Sequence, residues 1–219
     1  VLTDQHPIAW ANGYRRKPVL KALLNPAIVL LAFTGPVSAG ADIKEQQANQ
    51  MAKALGKEAC PLLHQKQRSK GFDAEQFTFT HRSKLDDADR TYILFRVPCW
   101  LAAYNQGDAY VLFDSYGEVK IVPFAVPSYE VTYTGDGYEK VASINVTGYR
   151  SKWSIVFSNF DTSTLEISEF NKSRGLGDAF TTGVWRFENG DFVLKTYSVD
   201  GSYDGQAEAK TIINFEAPQ

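Results

Sequence analysis

The groups in this chain that could do chemistry are few and scattered. Beyond His6, the histidines are His64 and His81, and neither has a nucleophile and an acid at a readable spacing. There is no Gly-x-Ser-x-Gly elbow. Acids are common, and a carboxylate pair facing across a cleft would make a hydrolase, but only a fold can place such a pair. The sequence therefore leans away from an enzyme and names no catalytic residue.

Binding chemistry is better represented, and it sits in loops. Arg174-Gly175-Leu176-Gly177-Asp178 has the glycine spacing of a phosphate cradle. No helical pattern follows it, so a tight backbone turn beneath Trp185 is the better account. Arg174 and Asp178 are spaced to form an ion pair that fixes this turn. Asn105-Gln106-Gly107-Asp108 reads as a second polar turn. The ligand-loop residues are thus Asn105, Asp108, Arg174, Gly175, Gly177, Asp178 and Trp185. Trp100, Trp153, Trp185, Tyr104 and Phe187 could add an aromatic platform for a sugar or peptide, although aromatics in β proteins more often build the core.

Asp200-Gly201-Ser202-Tyr203-Asp204-Gly205 places side-chain oxygens at alternate positions, like the front of a calcium loop, with Asp200, Ser202 and Asp204 as ligands. The position of the closing bidentate Glu falls on Thr211, so a polar turn between strands is the simpler reading. No other cofactor is expected. Cys60 and Cys99 lack Cys-x-x-Cys spacing and read as a disulfide closing a loop of about 40 residues.

These loops need a scaffold, and the patterning is that of strands. Asn189-Gly190 between Val184–Phe187 and Phe192–Tyr197 is a strong signal for a two-residue hairpin turn. Tyr104–Leu112 carries a related phrase, with Gly-Asp, an aromatic and Val-Leu in the same order. Further alternating runs at 77–81, 91–97, 119–124, 129–134, 140–146, 152–157, 164–170 and 211–215 are separated by turn residues about every ten positions. Residues 42–55 have helical periodicity, with Asp42 as cap and Gly56 as stop, and predict an amphipathic helix lying on the sheet. The expected fold is mainly β: an antiparallel sandwich or two tandem β units, with an N-terminal signal helix and one short amphipathic helix.

Arg15-Arg16-Lys17 and Lys21 precede a run from Ala22 to Phe33 that is apolar except for Asn25. Pro36-Val37-Ser38-Ala39 follows, with Val37 and Ala39 at the −3 and −1 positions of a cleavage site. This reads as a secretory signal peptide. Its removal takes away four basic residues and one acid (Asp4), leaving a mildly acidic chain without the basic footprint of a nucleic-acid binder. At 219 residues and 44% hydrophobic composition, the chain has enough material for a real core.

Arg174-Gly175-Leu176-Gly177-Asp178 with Trp185, Gly190 and Phe192-Val193-Leu194 resembles the ending of a bacterial family catalogued as domain of unknown function 1176. Val97-Pro98-Cys99 with Ala103-Tyr104-Asn105 is similar to that family's central phrase. The likeness covers about residues 60–215. It implies an exported protein of Gram-negative bacteria with no established activity. Where the family tends to carry Cys after Gly-Asp, this chain has Ala179.

The organisation expected is upstream residues and signal peptide over 1–39, a helix within 40–59, a first β unit over 60–128 and a second over 129–219. The expected protein is periplasmic or secreted, and keeps no membrane span after signal cleavage. It is a non-enzymatic binding or envelope-interaction module. Its partner would be an envelope protein, a glycan or a small ligand, and not nucleic acid. A carboxylate-dependent hydrolase and a calcium-stabilised structural domain are the alternatives.

Overall fold

The computed structural model describes residues 39–66, 71–83 and 87–216. The proposed leader lies outside the described residues. Among these residues helix α1 (Ala39–Lys53) is followed by a short 3-10 turn at Pro61–His64 and twelve strands: β1 (Glu75–His81), β2 (Arg90–Leu101), β3 (Gln106–Asp114), β4 (Val119–Ile121), β5 (Phe124–Tyr133), β6 (Val141–Lys152), β7 (Ile155–Val156), β8 (Asn159–Asp161), β9 (Glu166–Lys172), β10 (Phe180–Glu188), β11 (Asp191–Asp200) and β12 (Lys210–Asn214).

The first sheet has the order β1-β2-β3-β4, with β7 also pairing with β3. The second has the order β12-β11-β10-β9-β8. All neighbours are antiparallel. Each sheet is thus built around a hairpin, β2–β3 in one and β10–β11 in the other. A ribbon of β5 and β6 begins in the core at Phe124 and Val126 and reaches Gly201 with Val131 and Val141 near its tip.

The two sheets share one core, which makes the arrangement a sandwich. Phe79, Tyr92, Leu94, Tyr110 and Leu112 of the first sheet meet Ile167, Trp185, Phe187, Leu194 and Tyr197 of the second. Edge-on ring contacts tie them together, with Phe187 centred 5.0 Å from Phe79 and 4.7 Å from Tyr92. The other face of the first sheet carries Phe95, Val97, Cys99, Ala109, Val111 and Phe113, covered by Ala48 and Ala52 of α1. β3 therefore has helix on one side and sheet on the other, and its residues from Gly107 to Phe113 are all buried. That explains its continuous apolar run Ala109–Phe113, where a one-sided strand would alternate.

Cys60 and Cys99 form a disulfide, and both are fully buried in this outer cluster. The bond joins the segment after α1 to β2. Cys99 is the extra residue of a bulge, since Pro98 faces Asp108 and Trp100 faces Gly107.

Several boundaries differ from the sequence reading. α1 extends through Asp42 to Ala39, so Asp42 is not its cap, while Gly56 takes the positive φ of a helix stop at +92°. The run 119–124 breaks at Pro123 into β4 and β5. The run 152–157 ends as a strand at Lys152 and resumes only as β7. Asn189-Gly190 forms the expected turn with φ of +52° and +94°, as a type I′ hairpin requires.

Candidate functional site

Three of the loops singled out in the sequence come together at one end of the sandwich. The first is the β2–β3 turn, closed by the Ala102 N–H donating to the Asn105 carbonyl at 2.8 Å. The second is Ser173–Ala179, between β9 and β10, closed by Ser173 N–H to the Ala179 carbonyl at 2.8 Å. The third runs from Asp200 to Lys210.

Asn105 joins the first loop to the second sheet. Its Nδ2 donates to the Lys172 carbonyl at 2.9 Å, and its Oδ1 accepts the Lys172 N–H at 3.3 Å. A side-chain amide thus completes the pairing of a strand edge left open where β8 ends. The Tyr104 hydroxyl adds a bond to the Ser173 carbonyl at 3.1 Å, and its ring lies against Gly175.

Arg174 and Asp178 form the expected ion pair. Nε donates to Oδ1 at 2.6 Å, and Nη2 reaches Oδ2. Asp178 also accepts the Gly205 N–H at 2.9 Å, which pins the third loop to the second. Arg174 holds the Asp178 carboxyl well below the usual carboxylate range, and the Gly205 N–H adds to that. The guanidinium lies 5.2 Å from the centre of the Tyr203 ring. Gly177, at φ +77°, provides the sharp turn.

Asp200 accepts the Ser202 N–H at 3.0 Å, the Ser202 hydroxyl at 2.7 Å and the Glu208 N–H at 2.6 Å. Asp204 accepts the Gln206 N–H at 2.8 Å. The alternate oxygens of this loop therefore organise its own backbone as Asx turns. Among the described residues no three His, Cys, Asp or Glu side chains are grouped to hold a metal ion.

Two of the expected loop residues lie elsewhere. Asp108 is inside β3 and buried, because the polar turn ends at Asn105 and not at Asp108. Its Oδ2 accepts the Ser158 hydroxyl at 2.9 Å and its Oδ1 the Gln106 amide at 2.9 Å, while Tyr110 donates to Ser158 Oγ at 2.8 Å. Burial pushes the Tyr110 phenol up, which keeps it a donor. Trp185 is fully buried between the sheets, with its indole N–H on the Ala125 carbonyl at 2.9 Å. It is a core residue, as is Phe187, so neither offers a face to a ligand.

What the loop end exposes is Tyr104 and Trp153 of the expected platform, together with Phe157 and Leu176. Tyr104 is 39% exposed, Trp153 46%, Phe157 45% and Leu176 72%. Phe157 has φ of +40°, a backbone that a bulky side chain adopts only when its surroundings hold it there. Its N–H donates to the Gln106 carbonyl at 3.0 Å. Lys172 bridges the set: its stem lies beside Gly177, and its ammonium is 5.8 Å from the Phe157 ring centre. Phe157 and Lys172 carry no local sequence signal, because only the fold brings residues 104, 157, 172 and 176 together.

Among the described residues Glu169 is the one carboxylate pushed upward, chiefly by burial, with Lys152 Nζ at 3.9 Å and the Val156 N–H at 3.2 Å opposing the shift. Its side chain is enclosed between the ribbon and the second sheet and faces no open cleft.

Residues 10–214 match the family described as Protein of unknown function (DUF1176). The chain belongs to the DUF1176 family. The match reaches further towards the N-terminus than the phrases near Cys99 and Asp178, taking in α1 and the segment before it. The fold places Ala103-Tyr104-Asn105 of the first phrase and Arg174–Asp178 of the second at the same end of the sandwich, while Trp185 lies in the core and Gly190 at the opposite end. Neither a curated protein nor a solved structure matches the chain. No helix among the described residues is long and apolar enough to cross a membrane.

Proposed function

We propose that this DUF1176 protein is an exported, non-enzymatic binding module of the bacterial envelope. Its loop end takes a glycan or peptide chain across Tyr104, Phe157 and Leu176, with Lys172 beside them. The observation that carries the reading is the convergence of three separately encoded loops. They are stapled by Asn105, Asp178 and Tyr104, yet leave large apolar side chains facing solvent. A rigid rim around exposed aromatics suits stacking on a sugar face or gripping a peptide. The basic start, apolar run and Val37-x-Ala39 pattern support export, and a buried disulfide suits an oxidising compartment.

Two measurements test it. Expression of the chain with its leader, followed by cell fractionation and N-terminal sequencing, is expected to give periplasmic or secreted protein beginning after Ala39. Full-length cytoplasmic product would overturn export. Purified protein is expected to co-sediment with isolated envelope glycan-peptide, and to lose this in Tyr104→Ala and Phe157→Ala variants of unchanged thermal midpoint. Turnover of that material, abolished by replacing one acid, would overturn the non-enzymatic assignment.

A further inference from the structure

The ligand at the loop end is constrained by the groups left unspent there, provided that the binding reading above holds. The exposed side chains form one continuous strip. The Tyr104 ring lies against Gly175, and Leu176 follows. Gly177 carries the stem of Lys172, whose Cδ and Cε sit 3.6 Å from the position of a Gly177 Cβ. The Lys172 ammonium then stands 5.8 Å from the centre of the Phe157 ring.

The planar polar side chains of the three loops are committed inside the protein. Asn105 is bonded to both backbone groups of Lys172. Asp178 serves Arg174 and Gly205, and Asp200 serves Ser202 and Glu208. Even the Tyr104 hydroxyl is turned to the Ser173 carbonyl. A sugar laid on this strip would lose water from its ring hydroxyls and find few partners in return. Leu176 adds an aliphatic contact, which suits an apolar side chain better than the face of a sugar.

One charge stays open. Lys172 has its backbone clamped by Asn105 and its stem laid against Gly177, yet its ammonium pairs with no carboxylate among the described residues. Arg174, the neighbouring cation, is already bound through two nitrogens to Asp178. An ammonium held beside an aromatic ring suits a carboxylate attached to an apolar group. The spacing narrows the choice. With a carboxylate oxygen about 2.8 Å from Nζ, the 5.8 Å to the ring centre leaves room for side-chain carbons of the same residue on Phe157. In an extended chain an acidic side chain and its apolar neighbour point to opposite faces, so the two do not reach this strip together. The last residue of a chain carries a carboxylate and its side chain on one Cα. We propose that the loop end binds the free C-terminus of a peptide whose last residue is apolar. The carboxylate lies on Lys172 and the side chain on Phe157 and Leu176.

The test is an amide-shift titration of the isotope-labelled protein, read at Phe157, Lys172, Leu176 and Gly177. The probes are acetyl-Ala-Ala-Phe as the free acid, the same peptide as its C-terminal amide, acetyl-Asp-Phe amide, and chitotriose. The free acid is expected to bind saturably and about fivefold more tightly than its amide, and raised salt to remove that difference. Lys172→Met, which keeps a stem beside Gly177, is expected to equalise acid and amide with the thermal midpoint unchanged. If that variant unfolds, the salt series on the parent protein decides. Equal binding of acid and amide by the parent protein overturns the proposal and leaves an apolar peptide surface. Equal binding of acetyl-Asp-Phe amide overturns the choice of a C-terminus. Saturation by chitotriose alone overturns the proposal in favour of a glycan, with the binding reading intact. Silence of all four amides towards every probe also overturns it, and co-sedimentation with envelope material then decides the binding reading separately.

Discussion

Asn105 bonds to both backbone groups of Lys172, donating to its carbonyl and accepting its N–H. The pair joins the two sheets at the loop end, and it is partly buried. Asn105→Ala is expected to cost about 1–3 kcal/mol, because it leaves a strand-edge N–H and C=O unmet. Asn105→Asp is expected to cost more, since it loses the donor and sets a carboxylate against a carbonyl. Urea midpoints of the two variants measure the difference.

Acid should loosen the same end. The Asp178 carboxyl is held low by Arg174, so its folded-state pKa lies below the unfolded value. Its contribution is complete above the unfolded value near ~4 and is lost as pH falls through the depressed folded value. The thermal midpoint is therefore expected to drop below about pH 4, and to drop less in Asp178→Asn, which starts lower at neutral pH. Equal slopes for the two proteins would remove the ion pair from the account.

Glu169 runs the other way. Burial raises its folded-state pKa, so protonation favours the fold. That contribution is complete below the unfolded value near ~4.3 and is lost as pH rises through the raised value. Glu169→Gln keeps an oxygen for the Val156 N–H and cannot ionise. Its thermal midpoint relative to the parent is expected to climb as pH rises from acid to alkaline; a constant difference would contradict this.

Two glycines make room for indoles. A Cβ on Gly183 would lie 2.4 Å from Trp185 Cη2, and one on Gly107 would lie 2.0 Å from Trp100 Cε2. Trp185 is enclosed on all sides, so Gly183→Ala is expected to cost about 3 kcal/mol or more. Trp100 is only partly buried and can swing out, at the loss of its bond to Ser154. Gly107→Ala is expected to cost about 1–2 kcal/mol and to shift tryptophan emission to the red.

Reduction of Cys60–Cys99 releases a loop spanning 39 positions, worth about 4 kcal/mol in the chain-entropy model. Ala48 and Ala52 pack in the same cluster. Reductant is therefore expected to lower the thermal midpoint and to raise hydrogen exchange in α1 before the strands. Unchanged exchange in α1 would show that the helix docks independently of the bond.

The sequence was most informative where local chemistry decides local structure. Asn189-Gly190 turns because two successive positive φ values suit those residues, and the Cys pair needed only an oxidising context. It misled at Asn105–Asp108, which contains the same turn-forming residues. There a bulge at Cys99 shifts the register, Gly107 is used as space for Trp100, and Asp108 is buried to hold Ser158. Turn residues and packing residues are the same types, and only tertiary context separates them. Asp178 was legible because its partner is four residues away. Phe157 and Lys172 were not, since their neighbours are distant in sequence. Trp185 follows a readable loop but faces the opposite sheet, and that direction depends on pairing that no local pattern specifies.

The sandwich is unevenly fastened. The Asn105 clasp and the Asp178 bond are partly buried, whereas Ser83–Asn189 and Lys120–Asp191 at the other end are exposed to water and salt. Opening between the layers is therefore expected to begin at the Asn189 turn, where rising ionic strength weakens the exposed Lys120–Asp191 pair.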